Sequence, residues 1–213
     1  MLPRELFEDA AARINCLNTR RHGQLLHGLI RWLRPQSVVE VGSYTGYTAV
    51  WMARALQENA RDGAPGKLLC IDDFSLAPEA FHAFWHNVGA CGVGDVVSLE
   101  PKASAEAEWP AQVDFAFIDG DHSYEACKHD AEKAISLGAK CVALHDVQDW
   151  WGPREWFFLE ENDPPGGEHG WSSFYVPFDG GLGVLLRDET LPPETFTREA
   201  YPLGRIVAYA KAV

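Results

Sequence analysis

Residues Val38 to Leu56 read Val-Val-Glu-Val-Gly-Ser-Tyr-Thr-Gly-Tyr-Thr-Ala-Val-Trp-Met-Ala-Arg-Ala-Leu. An apolar β-branched run carrying Glu40 ends at Val41. Gly42 and Gly46 follow, four apart, and an apolar helical pattern starts at once. Strand, glycine turn and helix in that order hold a nucleotide-containing cofactor at the carboxyl edge of a parallel sheet. Gly42 would let the backbone approach a ligand, and Gly46 would relieve crowding where helix meets strand. The spacing Glu-x-Gly-x-x-x-Gly is neither the Gly-x-Gly-x-x-Gly of dinucleotide enzymes nor a phosphate-binding loop ending in Gly-Lys-Ser/Thr. Glycines at this spacing also fit an ordinary strand-to-helix turn.

Working outward, residues 5–17 and 22–34 read as helices. The second sets Leu25, Leu26, Leu29, Ile30 and Leu33 on one side, and Pro35 ends it. Strands are expected at 38–41, 68–71, 96–99, 115–118 and 142–144, with helices at 47–59, 79–88 and 124–137, the last ended by Gly138. Strands alternating with helices in this way imply βαβ units and a mainly parallel sheet. Segments 173–176 and 183–186 flank Asp179-Gly180-Gly181 and are expected to pair antiparallel at a sheet edge. No repeat, low-complexity tract or long linker divides the chain, so 1–213 reads as a single domain.

Composition bounds the partners. The chain has 213 residues, 46% of them hydrophobic, enough for one core, and a formal net charge of −13. That charge argues against gripping nucleic acid or an anionic membrane surface, both of which need a basic footprint. Cys16, Cys70, Cys91, Cys127 and Cys141 show no Cys-x-x-Cys spacing, and their odd number suits a reducing compartment. The start carries no long apolar core, and no apolar run approaches the roughly 20 residues that cross a bilayer. The expected location is cytoplasmic.

Gly42-Ser43-Tyr44-Thr45-Gly46-Tyr47-Thr48-Ala49-Val50 resembles the first motif of class I S-adenosylmethionine-dependent methyltransferases. It is especially similar to the catechol and caffeoyl-coenzyme A O-methyltransferase group. The likeness runs from Gly23-Gln24-Leu25-Leu26 to Asp146. A second anchor, Val113 to His122 (Val-Asp-Phe-Ala-Phe-Ile-Asp-Gly-Asp-His), is followed by Ala143-Leu144-His145-Asp146. That pairing resembles a bacterial branch whose members often modify sugars and antibiotics. The resemblance implies an α/β fold: a doubly wound, mainly parallel, seven-stranded Rossmann-like sheet with an antiparallel C-terminal edge hairpin. It also implies a helical cap over 1–34.

The resemblance implies a cofactor, S-adenosylmethionine, and positions that hold it. A ribose diol is best fixed by a carboxylate at the end of the second strand, where Asp72 sits with Asp73 beside it; acids also simply start loops there. Tyr44 and Thr48 match positions contacting the methionine end, together with backbone groups around Gly42, Ser43 and Gly46. Glu40 could attract the ammonium or brace the turn. Ser104 matches a position near adenine, whereas Ala103 departs from the acid that the bacterial branch often carries. Leu17 and Asn18 align with a segment that closes over the cofactor.

Methyl transfer needs an aligned acceptor and a route for its proton. Asp119 and Asp146 end the fourth and fifth expected strands and should face one crevice. In the catechol-type group these positions carry a metal-binding Asp and the Asn of an Asp-Asn pair. Here the pair is His145-Asp146, so Asp119, His145 and Asp146 are the expected metal set. Oxygen ligands suit magnesium, and an inserted imidazole suits zinc, manganese or iron better. Alternatively His145 packs under the loop and Asp146 caps the following turn. His122 stands where catechol-type enzymes place a catalytic lysine and is the expected base, or else a loop histidine bonded to backbone. Asp121 could orient that ring or cap the next helix. His82 and His86 lie among Phe81, Phe84 and Trp85, which favours amphipathic packing over metal binding.

Residues 147–175 carry Trp150, Trp151, Trp156, Phe157, Phe158 and Trp171 around Pro164-Pro165-Gly166-Gly167. Their place after the fifth strand suits a lid over a small-molecule acceptor, although such aromatics also build cores or homo-oligomer interfaces. The expectation is methyl transfer to a small-molecule hydroxyl with help from a divalent metal, magnesium or another. Two alternatives stay open. One is metal-independent O- or N-methyl transfer with His122 or His145 as base; the other is an S-adenosylmethionine-binding protein without catalysis.

Overall fold

The computed structural model describes residues 1–16, 19–148, 152–160 and 170–190. Its strands are β1 (Ser37–Val41), β2 (Lys67–Ile71), β3 (Val97–Glu100), β4 (Phe115–Ile118), β5 (Cys141–His145), β6 (Trp171–Val176) and β7 (Leu182–Arg187). Its helices are α1 (Arg4–Ala12), α2 (Arg20–Leu33), α3 (Tyr47–Arg61), α4 (Ala80–Ala90), α5 (Tyr124–Ser136) and α6 (Gly152–Glu160), with a 3-10 turn at Asp188–Thr190. The strand order is β3-β2-β1-β4-β5-β7-β6 in one seven-stranded sheet. β1 to β5 pair in parallel, and β7 runs antiparallel to both β5 and β6. The doubly wound sheet and its antiparallel edge hairpin are as expected, and α6 is an additional helix.

Strand alternation divides the core. Phe115 and Phe117 of β4 pack into the layer made with α1 to α4, while Ala116 and Ile118 pack into the layer made with α5 and α6. The order reverses at β1 and β4, and in open α/β sheets ligands lie beyond the strand carboxyl ends at such a point. Helix α3, buried along most of its length, lies under α2. Gly23 permits that approach, because a Cβ there would come within 2.4 Å of the Trp51 ring. Helices α1 and α2 thus form an integral packing layer, with Phe7, Leu26 and Ile30 in the core.

Terminators follow local chemistry. Arg34 adopts a left-handed conformation at the end of α2, where Pro35 disfavours the α region for the residue before it. Gly138 closes α5 with a Schellman pattern, the Ala139 amide reaching the Ala134 carbonyl at 3.0 Å. Helix α5 is N-capped by Ser123, whose hydroxyl accepts from the Ala126 amide. Asp121 instead accepts from the Ser123 amide and so shapes the preceding turn.

Part of the aromatic insert belongs to the core. Trp156 and Phe157 of α6 are fully buried in the core, and Gly183 leaves room for Phe157, whose ring a Cβ would meet at 2.6 Å. Trp171 belongs to edge strand β6. Trp156 and Phe157 are scaffold, because α6 covers the sheet face that β5 and β7 would otherwise expose, and Trp171 packs partly buried against the same cluster. Trp150, Trp151 and the Pro164 to Gly167 run lie outside the described residues, as do Leu17 and Asn18. Among the described residues, no helix is long and apolar enough to cross a membrane.

Candidate active site

The turn after β1 is held by its neighbours. A Cβ on Gly42 (φ 83°) would lie 2.0 Å from the Asp119 carbonyl oxygen and 2.7 Å from the Gly120 nitrogen. Glycine is therefore required by the loop after β4 before any ligand is considered. Gly46 (φ 84°) abuts the Phe84 ring of α4, so the crowding it relieves comes from a neighbouring helix. Asp72 spans the turn: Oδ2 accepts from the Tyr44 amide and Oδ1 from the Phe74 amide, each at 2.7 Å. Tyr44 and Phe74 both hold positive φ there. Asp73 is exposed and accepts from the Ser75 amide.

Glu40 lies beneath this turn with no exposure. It accepts hydrogen bonds from the Thr48 hydroxyl at 2.5 Å and the Cys70 thiol at 3.3 Å. Burial pushes its carboxyl up to about 7, against the Thr48 hydrogen bond that favours the charged form. In this geometry Glu40 and Thr48 brace strand to helix. Ser43 is buried beside them. Ser104 sits in the loop after β3, its carbonyl fixed by the Trp109 indole at 3.1 Å and the Lys133 ammonium at 3.3 Å.

The chemistry-bearing side chains converge beyond β4 and β5. Asp119 Oδ1 lies 2.9 Å from His145 Nδ1, and Asp146 Oδ2 lies 3.3 Å from the same atom. His122 Nε2 approaches those two carboxylates at 3.5 and 3.4 Å. Asp119, His145 and Asp146 offer ligand atoms within 4.8 Å of one another. Asp146 takes φ 57°, a left-handed conformation that costs a non-glycine residue roughly 1–2 kcal/mol. Two carboxylates this close repel each other unless a cation or a proton lies between them.

Among these side chains His145 supplies the positive charge. Burial alone would depress His145, but the Asp119 and Asp146 carboxylates outweigh it and push the imidazole up to about 11. Burial would raise Asp119, yet the His145 charge and His122 hold it below its ordinary range. His122 is raised, first by its interaction with Asp119.

A wall of this site escaped the sequence reading. The turn joining β6 to β7 folds over His145, whose Nε2 lies 2.7 Å from the Asp179 carbonyl oxygen. His22, on α2 and fully buried, packs edge-on against His145 at 4.9 Å and places Nε2 2.8 Å from the Phe178 carbonyl. The Arg21 amide donates to Asp179 Oδ2 at 2.9 Å. Burial lowers His22 to about 4, so it is neutral here. The signal for His22 was its spacing: with Leu26, Leu29 and Ile30 it follows the buried stripe of α2. His82 and His86 are exposed on α4 and take no part.

A family model described as a methyltransferase domain matches residues 39–147, from β1 through the residues after β5. That is just over half of the chain. The chain belongs to this methyltransferase-domain family. It is 26% identical over 123 residues to a caffeoyl-CoA O-methyltransferase of Stellaria longipes, a match covering 54% of this chain and 46% of that protein. The chain therefore spans about half the length of that curated relative. Among solved structures it is similar to an O-methyltransferase from Bacillus cereus in complex with SAH (TM-score 0.62, 17% identity, covering 88% of this chain and 93% of that one). It is also similar to TomG from Streptomyces achromogenes, an O-methyltransferase involved in tomaymycin synthesis and in complex with SAM (TM-score 0.57, 18% identity, covering 87% and 91%). At these identities the structural likeness carries the fold.

Proposed function

We propose that this chain is an S-adenosylmethionine-dependent methyltransferase that methylates a hydroxyl of a small molecule with help from a divalent metal. The observation that carries the reading is the convergence of Asp119, His122, His145 and Asp146 at the sheet's switch point, beside the Gly42 turn. Family membership, and structural neighbours in complex with SAH and SAM, support the same reading. Two carboxylates and a buried imidazole nitrogen without a well-formed hydrogen bond fit a divalent ion.

Within this proposal the cofactor supplies an electrophilic methyl group, and the metal supplies Lewis acidity that favours a deprotonated acceptor oxygen. Backbone groups of Gly42 to Tyr44 and the remaining lone pairs of Asp72 orient the cofactor at the ends of β1 and β2. Ser104 flanks the adenine side, and Asp73, Gly46, Glu40 and Thr48 support the turn. Asp119, His145 and Asp146 hold the metal. His122, half-buried at the rim, takes up the acceptor's proton at Nε2. Segment 147–175 is the proposed acceptor lid.

The test is S-adenosylhomocysteine release from a panel of sugars, phenols and amines, with and without a chelator, alongside calorimetry with S-adenosylmethionine. Turnover that chelation abolishes while cofactor binding persists supports the whole reading. A second reading rests on the His122 and Asp119 pair, a base with its carboxylate, which needs no metal. Full activity in metal-free protein would favour it. Cofactor binding without turnover of any acceptor class would favour a non-catalytic role, and no heat with cofactor would end the methyltransferase reading.

A further inference from the structure

His145 Nδ1 faces Asp119 and Asp146 at 2.9 and 3.3 Å, yet it makes no well-formed hydrogen bond with either. The residue is 3% exposed, so the nitrogen is enclosed. Its other nitrogen settles the ring's orientation. A carbonyl oxygen can only accept, so the 2.7 Å contact with Asp179 requires a proton on Nε2. A metal ion that displaces the second proton would meet the Nδ1 lone pair where the two carboxylates converge. An imidazole that donates one N–H to a backbone carbonyl is oriented to give its other nitrogen to a metal.

Packing leaves the ring little choice. His22 stands edge-on at 4.9 Å, and Phe178 stacks on His22 at 5.4 Å. Gly180 closes the remaining side, where a Cβ would come within 3.3 Å of Cε1 and Nε2 and 2.2 Å of Asp146 Oδ1. We infer that His145 is an Nδ1 metal ligand oriented by the Asp179 carbonyl, so that this mixed nitrogen–oxygen centre takes a manganese-, cobalt- or zinc-type ion in preference to magnesium. The inference rests on the metal reading above and specifies its ligand and ion class. Magnesium holds oxygen ligands and several waters at near-ideal octahedral geometry, and a buried imidazole is a poor member of such a set.

The test uses the full chain stripped of metal, loaded with cobalt(II) and observed by proton NMR. A coordinated imidazole gives a strongly shifted N–H signal, slow to exchange when a carbonyl holds it. One such signal should vanish in His145→Asn, which replaces nitrogen by an oxygen donor. Competition calorimetry should show the cobalt-to-magnesium affinity ratio falling on the order of 10- to 100-fold in that variant. Cobalt bound to the parent chain with no shifted N–H overturns the inference, whether or not the variant folds. An unchanged ratio in folded His145→Asn overturns it as well. If none of magnesium, manganese, cobalt or zinc binds, the metal-assisted reading falls with it. S-adenosylmethionine calorimetry on the same samples tells separately whether the methyltransferase reading stands.

Discussion

Asp72 Oδ2 accepts a hydrogen bond from the Tyr44 amide at 2.7 Å, tying the end of β2 to the glycine turn that follows β1. The carboxylate thus shapes the proposed cofactor crevice as well as facing it. Asp72→Ala should weaken S-adenosylmethionine binding by roughly 1.5–3 kcal/mol for each lost bond to the charged acceptor. It should also lower the melting temperature of the free protein, because the Tyr44 and Phe74 amides lose their partner. Calorimetry and thermal unfolding read the two effects separately. Unchanged cofactor affinity would remove Asp72 from the site.

Glu40 makes stability depend on pH in a defined direction. Its carboxyl is raised from an ordinary 4.5 to about 7 by burial, so the folded chain holds that proton more tightly than the unfolded chain. The contribution is complete below pH 4.5 and is lost as pH rises through 7, amounting to about 3 kcal/mol at most. Glu40→Gln should therefore gain stability relative to the parent on moving from pH 5 to pH 8. Urea unfolding at both values checks this, and a constant difference would refute it.

Gly42→Ala should be among the most damaging small substitutions. The left-handed backbone alone costs about 1–2 kcal/mol, and the new methyl group collides with the Asp119 backbone. A loss of at least about 2 kcal/mol in unfolding free energy is expected, with weakened cofactor binding. A variant as stable as the parent would mean that the loops after β1 and β4 can part at no cost.

Gly180→Ala tests the far wall of the site. Its methyl group would displace the Asp146 carboxylate and crowd His145, leaving the Gly42 turn untouched. Turnover should fall by on the order of 100-fold, as expected for a misplacement of about 1 Å. Affinity for S-adenosylmethionine should hold. If both constants stay at the parent's values, the hairpin does not shape the reacting centre.

His122→Ala removes the proposed proton acceptor and keeps the backbone bond from the Gly152 amide to the His122 carbonyl. The rate should drop by roughly 10²–10⁴-fold, with cofactor affinity retained. Single-turnover kinetics read the chemical step directly, and a normal rate would pass the base's role to another group.

Much of the fold was legible because it is written in local pattern. The run from Val38 to Leu56 marked strand, turn and helix, and Asp119 and Asp146 could be placed at strand ends from apolar runs alone. Local pattern could not say what Gly42 is for, because its closest neighbour, Asp119, is distant in sequence and adjacent only in the sheet. The place of Trp156 and Phe157 stayed open for a related reason: aromatic density looks the same in a core helix as on an acceptor platform. His22 and the Asp179 turn were missed because their partners are backbone carbonyls and a ring contributed by distant segments. The left-handed Asp146 left no compositional trace.

The hairpin that completes the sheet edge also sets an order on biosynthesis. The glycine turn, Asp72 and Asp119 leave the ribosome well before Asp179 and Gly180 do. Until those last residues arrive, the His145 ring lacks the carbonyl that orients it, and α2 lacks the surface against which His22 packs. A stalled nascent chain therefore has no formed reacting centre, however complete its glycine turn.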